Sequence, residues 1–126
     1  MKKVYTKKAP EAVGPYSQAI ISGNYVFTSG QLGIDASGKL GEGIAAQTEN
    51  ALKNLSEVLF AAESGLSDVI KTTCFLADIK DFSTFNEIYG RYFTGKPARS
   101  LIESSALPKG ALIEIEAIAE IKSIRR

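Results

Sequence analysis

At 126 residues, with 44% apolar and 23% charged side chains, the chain has the make-up of a single globular domain spanning 1–126 with its own core. Fifteen basic residues against fourteen acidic ones leave a net charge of +1, which speaks against nucleic acid as a main partner. There is no histidine and only one cysteine, so Ser-His-Asp and Cys-His nucleophile activation and an internal disulfide are excluded, and a zinc centre is disfavoured.

Residues 1–8 are basic, but no apolar core follows them, so they do not read as a signal peptide. No apolar run is long enough for a bilayer, and the chain is placed in the cytoplasm with no membrane partner. The lysines here flank a short strand and suit the protection of a sheet edge. Residues 10–15 hold two prolines and a glycine and read as a loop. Residues 16–22 and 25–29 are β-rich, and Gly23-Asn24 between them is a hairpin signal. Five glycines in 30–43 predict loops and turns.

Helical spacing is clearest over 44–63, where Ile44, Ala51, Leu52, Leu55, Val58, Leu59 and Ala62 share a stripe and Gly65 supplies a stop. Residues 69–77 are β-branched and apolar and predict a strand, with Cys74 as a small buried hydrophobe. Asp81 is the expected cap of a second helix, with Phe82, Phe85, Ile88 or Tyr89, and Tyr92 on its apolar face. Gly95 and Pro97 end it. Strands are expected around 99–107 and 112–122, turning at Pro108-Lys109-Gly110. In the last strand Ile113, Ile115, Ala117, Ala119 and Ile121 form one face. Leu112, Glu114, Glu116, Ile118, Glu120 and Lys122 form a mixed opposite face. The expectation is an α+β domain: a mixed sheet of about six strands, two helices on one face, and an open, half-apolar face suited to a partner subunit.

Residues 33–40 imitate a phosphate-binding loop. Leu40, however, stands where Ser or Thr must reach a metal, and Gly41 and Gly43 follow instead of a helix, so a surface turn at Ser37-Gly38 is the better reading. Arg99, between Pro97-Ala98 and Ser100, carries a rigid fork that matches a carboxylate, although an arginine at a strand start is commonly just solvated or ion-paired. Glu114 and Glu116 read either as a solvated strand face or as acid–base groups. Tyr16 is a core aromatic or a positioned hydroxyl. Asn86 lies beside the apolar face of the second helix, where an amide usually bonds to neighbouring backbone. Ser29-Gly30-Gln31 is a strand end whose backbone lets a ligand approach closely at Gly30.

Taken together, these positions resemble the Rid (reactive intermediate deaminase) family, also called the YjgF family. The matching pieces are Ala9-Pro10, Gly14-Pro15-Tyr16-Ser17-Gln18-Ala19, Thr28-Ser29-Gly30-Gln31, Gln47-Thr48 and Asn54-Leu55. They continue through Val69-Ile70-Lys71-Thr72-Thr73, Asp81-Phe82, Asn86-Glu87-Ile88-Tyr89, Pro97-Ala98-Arg99-Ser100, Leu107-Pro108-Lys109 and Ile113-Glu114-Ile115-Glu116-Ala117-Ile118-Ala119. They run in order along nearly the whole chain.

The resemblance implies a chorismate-mutase-like fold in a homotrimer with sites between subunits. It implies hydrolysis of 2-aminoacrylate and 2-iminobutyrate to 2-keto acids and ammonia, with no metal or cofactor. The substrates would come from pyridoxal-phosphate-dependent serine and threonine dehydratases. Arg99 would grip the substrate carboxylate and Glu114 would hold water and handle protons. Tyr16 and Asn86 would position the cleft, and Ser29-Gly30 would form its wall. Where many members carry cysteine, this chain has Leu101, which leaves only its backbone to contribute. The rival readings are a small-carboxylate-binding regulatory module without turnover and an endoribonuclease.

Overall fold

The computed structural model describes residues 1–121; Lys122 of the expected last strand lies outside the described residues. The strands are β1 (Lys2–Val4), β2 (Ala19–Ser22), β3 (Tyr25–Thr28), β4 (Gln31–Leu32), β5 (Val69–Leu76), β6 (Ala98–Glu103) and β7 (Ile113–Glu120). The α-helices are α1 (Gly43–Ala61) and α2 (Phe82–Tyr92). They make one mixed sheet in the order β1-β2-β3-β7-β5-β6, with β4 also paired to β7. Among the described residues only the β5–β6 pair is parallel, because α2 carries the chain back across between them. Among the described residues no helix is long and apolar enough to cross a membrane.

β7 follows the two-residue period expected of it. Ile113, Ile115, Ala117, Ala119 and Ile121 are buried, while Leu112, Glu114, Glu116, Ile118 and Glu120 are only partly covered. The buried set joins Leu52, Leu55, Val58 and Leu59 of α1 and Phe85, Ile88 and Tyr89 of α2 in one apolar cluster. Strand alternation and the 3.6-residue helical stripe thus meet at a single interface. The other sheet face leaves Phe27 and Ile102 about half exposed. At the sheet edge, β1 carries Lys2 and Lys3, as its lysines suggest.

Four details depart from the sequence expectation. Strand β4 lies inside the glycine-rich stretch read as loops, which brings the strand count to seven. It is held by carboxamides on one side of α1: Asn50 donates to Gly33 O, and Asn54 donates to Leu32 O and Ile34 O. Gln47 donates to Gly41 O and accepts from the Leu112 N–H. No local propensity announces a two-residue strand fixed this way. The run from 16 becomes strand only at Ala19, because Pro15 and the turn at Gly14 precede it.

Asp81 occupies the N-cap position of α2 without a side-chain cap bond, because Asp78 instead accepts from the Lys80 N–H one turn earlier. Finally, α1 ends at Ala61, two residues short of the expected 63, and the residue that stops it is Glu63 rather than Gly65. Glu63 takes φ 61°, its N–H bonds Phe60 O at 3.0 Å, and the Ser64 N–H bonds Leu59 O at 2.9 Å. This is a Schellman closure in which glycine would normally sit. Replacing Glu63 with glycine relieves the left-handed strain and should raise stability by roughly 0.5–1 kcal/mol. A urea titration with a higher midpoint and unchanged slope checks it.

Candidate functional site

Arg99 is the second residue of edge strand β6 and pairs in register with Thr72 of β5. Thr72 is fully buried beneath α2, so Arg99 projects on the helix-covered side. Its Nη1 donates to Asn86 Oδ1 at 2.8 Å. Its guanidinium lies 4.8 Å from the centre of the Tyr89 ring and 5.8 Å from that of Phe82. Among the described residues no carboxylate pairs with it. The cation is held by a neutral amide and two aromatic faces, which leaves it available to an anion entering the groove lined by Tyr89, Phe93, Lys96 and Pro97. Leu101, two residues on, aligns with Cys74 and packs partly buried against the core. Burial pushes the Cys74 thiol up to about 11, so it is no nucleophile near neutral pH.

Glu114 sits elsewhere, through a break in the sheet. β3 pairs Phe27 with Ile118, and β4 pairs Gln31 with Ile115. Thr28, Ser29 and Gly30 therefore oppose only Glu116 and Ala117, which makes a bulge of one residue. Thr28 Oγ1 fills the gap by accepting from the Ala117 N–H at 3.0 Å. Ser29 turns inward: its N–H donates to Gln18 O and its hydroxyl to Ser17 O, at 2.9 and 2.5 Å. Gly30 is left against the Glu114 carboxylate, where a Cβ would overlap Oε2.

Gly30 also lines a cleft of about 60 Å³ with Tyr16, Leu32 and Lys109. Tyr16 is about half exposed there. The loop that carries it is tied down by Gln18, whose side chain accepts from the Thr6 N–H and donates to Thr6 O and Pro10 O. Burial raises the Glu114 carboxyl above the ordinary glutamate range, and the charge on Glu116 adds to that shift.

The expected residues thus fall into two groups. Arg99 aligns with Thr72 and Glu114 with Phe75, an odd three-residue step along β5, so they project from opposite sheet faces. Asn86 and Leu101 join Arg99; Gly30 joins Glu114 and links it to Tyr16. The partners that sequence reasoning missed are Tyr89, Phe82 and Gln18. The signal was present for the aromatics, since Phe82, Asn86 and Tyr89 recur at helical spacing, but nothing local says that an arginine will lie on that stripe.

A mixed sheet backed by two helices, with these residues at its edge and bulge, is the architecture of the YjgF, chorismate-mutase-like fold. Residues 6–121 match the family described as Endoribonuclease L-PSP, and the chain belongs to that family, the one also called Rid or YjgF. A 2-iminobutanoate/2-iminopropanoate deaminase from Rattus norvegicus is 52% identical over 121 residues, covering 94% of this chain and 88% of the relative. The structure of RidA from the Antarctic bacterium Psychrobacter sp. is similar with a TM-score of 0.93 and 42% identity, over 96% of this chain and 100% of that one. E. coli TdcF with bound serine is similar with a TM-score of 0.91 and 38% identity, over 95% and 98%.

Two outcomes test the Glu114 environment. Gly30→Ala should leave the chain folded, because only a side-chain end must move. It should swing Glu114 toward water and lower its pKa, read by carbon NMR of the carboxyl during titration. Glu116→Gln removes a like charge and should also lower the Glu114 pKa, by less, since burial is the larger cause.

Proposed function

We propose that this chain is a 2-iminobutanoate/2-iminopropanoate deaminase, hydrolysing short 2-imino acids to 2-keto acids and ammonia. The observation that carries the reading is the Arg99 guanidinium, fixed on neutral partners with no carboxylate paired to it among the described residues. Relatives of that name at about half identity over most of both chains support it.

Arg99 grips the substrate carboxylate in a two-point contact that sets the imine carbon in place. Glu114, as its carboxylate, takes a proton from water while the oxygen adds to the carbon of the protonated imine, whose nitrogen becomes a neutral amine. Glu114 then returns the proton to nitrogen and, as the C–N bond breaks, takes the hydroxyl proton, so that ammonia leaves a carbonyl behind. An iminium carbon is already electrophilic, so no covalent nucleophile or cofactor is required.

Because Arg99 and Glu114 lie on opposite faces of one sheet, a complete site needs Arg99 of one subunit beside Glu114 of another. A homotrimer packed through the open face, where Phe27 and Ile102 are half exposed, meets that need. Tyr16, Ser29 and Gly30 form the wall on the Glu114 side, and Asn86 and the Leu101 backbone complete the Arg99 side. The working place is the cytoplasm, beside pyridoxal-phosphate-dependent serine and threonine dehydratases that release such imines.

In a threonine dehydratase reaction with semicarbazide competing for free imine, the protein should raise 2-oxobutyrate yield over trapped imine. Arg99→Ala should abolish that gain while the protein stays folded and trimeric, since losing one partner of a charge-assisted contact costs about 2–5 kcal/mol. Near-normal yield with the variant would overturn the anchor, and no gain with either protein would overturn the deaminase reading.

A further inference from the structure

The guanidinium of Arg99 does not rest on Tyr89 by accident of exposure. Tyr89 is buried, and its hydroxyl shares a 2.7 Å hydrogen bond with Thr72 Oγ1, itself fully buried. Thr72 is the residue of β5 that stands in register with Arg99 on β6. One adjacent-strand position therefore fixes the ring, and the ring lies under the side chain of its own β-neighbour. The Tyr89 ring is further wedged between those of Phe85 and Phe93, with centroids at 5.5 and 4.6 Å. It has almost no freedom to turn. On the same stripe of α2, Asn86 and Phe82 stand three and seven residues before it and bound the guanidinium from the side.

We infer that Tyr89, locked by Thr72, is the positioning residue of the Arg99 anchor. Its ring is a fixed, uncharged seat that orients the guanidinium plane before a carboxylate arrives. The inference deepens the deaminase reading and rests on it for the identity of the ligand. An acidic partner would hold the arginine as firmly but would compete with the ligand for its N–H donors. A π-face attracts the cation and leaves the fork's in-plane donors free. Asn86 takes one N–H and fixes rotation within that plane. Holding a flexible side chain in its bound geometry removes an ordering cost that binding would otherwise carry. The hydroxyl has a task separate from the ring: it sets the ring's tilt through its bond with Thr72.

This predicts a graded series. Tyr89→Leu removes the seat, and KM for the 2-imino acid should rise about tenfold with kcat nearly unchanged. Tyr89→Phe keeps the face but loses the Thr72 bond, and should raise KM by about two- to threefold. Tyr92→Phe, on the same helix but bonded to Glu49, is the control and should leave KM unchanged.

An activity-independent readout separates this from the deaminase reading. Nitrogen NMR of the Arg99 guanidinium should show slow rotation about its Nε–Cζ bond in the native protein and faster rotation in Tyr89→Leu. If rotation quickens as expected but no imine is turned over by the native protein, the seat stands and the deaminase reading fails. If rotation is unchanged in folded Tyr89→Leu, or if kcat falls while KM holds, Tyr89 is not the positioning residue. Should Tyr89→Leu fail to fold, Tyr89→Phe decides the question by the same two measurements.

Discussion

The strict alternation of β7 is the constraint on which the rest of the structure depends. It is the central strand, paired to β3, β4 and β5, and every second residue from Ile113 to Ile121 is buried beneath the helices. A one-residue slip would put Glu114, Glu116 and Glu120 into the apolar cluster and expel the isoleucines. Burying an unpaired carboxylate is costly enough that the register has a single acceptable solution. The position of Glu114, the partner strands it meets and the face left open all follow.

Within that register the two sides of the candidate site are fixed by different means. On the Glu114 side, strand pairing fails for one residue, and polar side chains take over the backbone groups that the ladder leaves unmatched. Thr28 receives the Ala117 N–H, Gln18 binds Thr6 and Pro10, and Asn50 and Asn54 bind the carbonyls around β4. Buried carboxamides suit this task because each offers both donors and an acceptor. The irregular segment 28–34 is therefore a held structure, and Gly30 is the point at which backbone meets carboxylate.

On the Arg99 side the means are aromatic and neutral. The two environments differ in kind: the arginine lies on π-faces and an amide, whereas the glutamate is pushed toward its neutral form by burial and by Glu116. A cation with no paired carboxylate among the described residues and a carboxyl raised by burial are the complementary groups that the proposed reaction calls on. Their placement on opposite faces of a single sheet explains why the open face matters as much as the covered one.

The sequence by itself determined the two helices, the long strands β5 and β7, the Gly23-Asn24 hairpin and the sorting of Ile113 through Ile121. Each of these is written in a local period or a turn residue, and apolar burial enforces it. It also singled out Arg99, Glu114, Gly30 and Asn86 by residue type and by family resemblance. What only the tertiary structure decided is how these meet. Strand β4, the bulge at 28–30 and the Schellman turn at Glu63 depend on partners far along the chain or on backbone angles that no period encodes. The seat of Arg99 needs a β5 residue, a β6 residue and α2 at one point. Its separation from Glu114 is a matter of odd or even register across two strand pairs, and register is a property of paired strands, not of either strand alone.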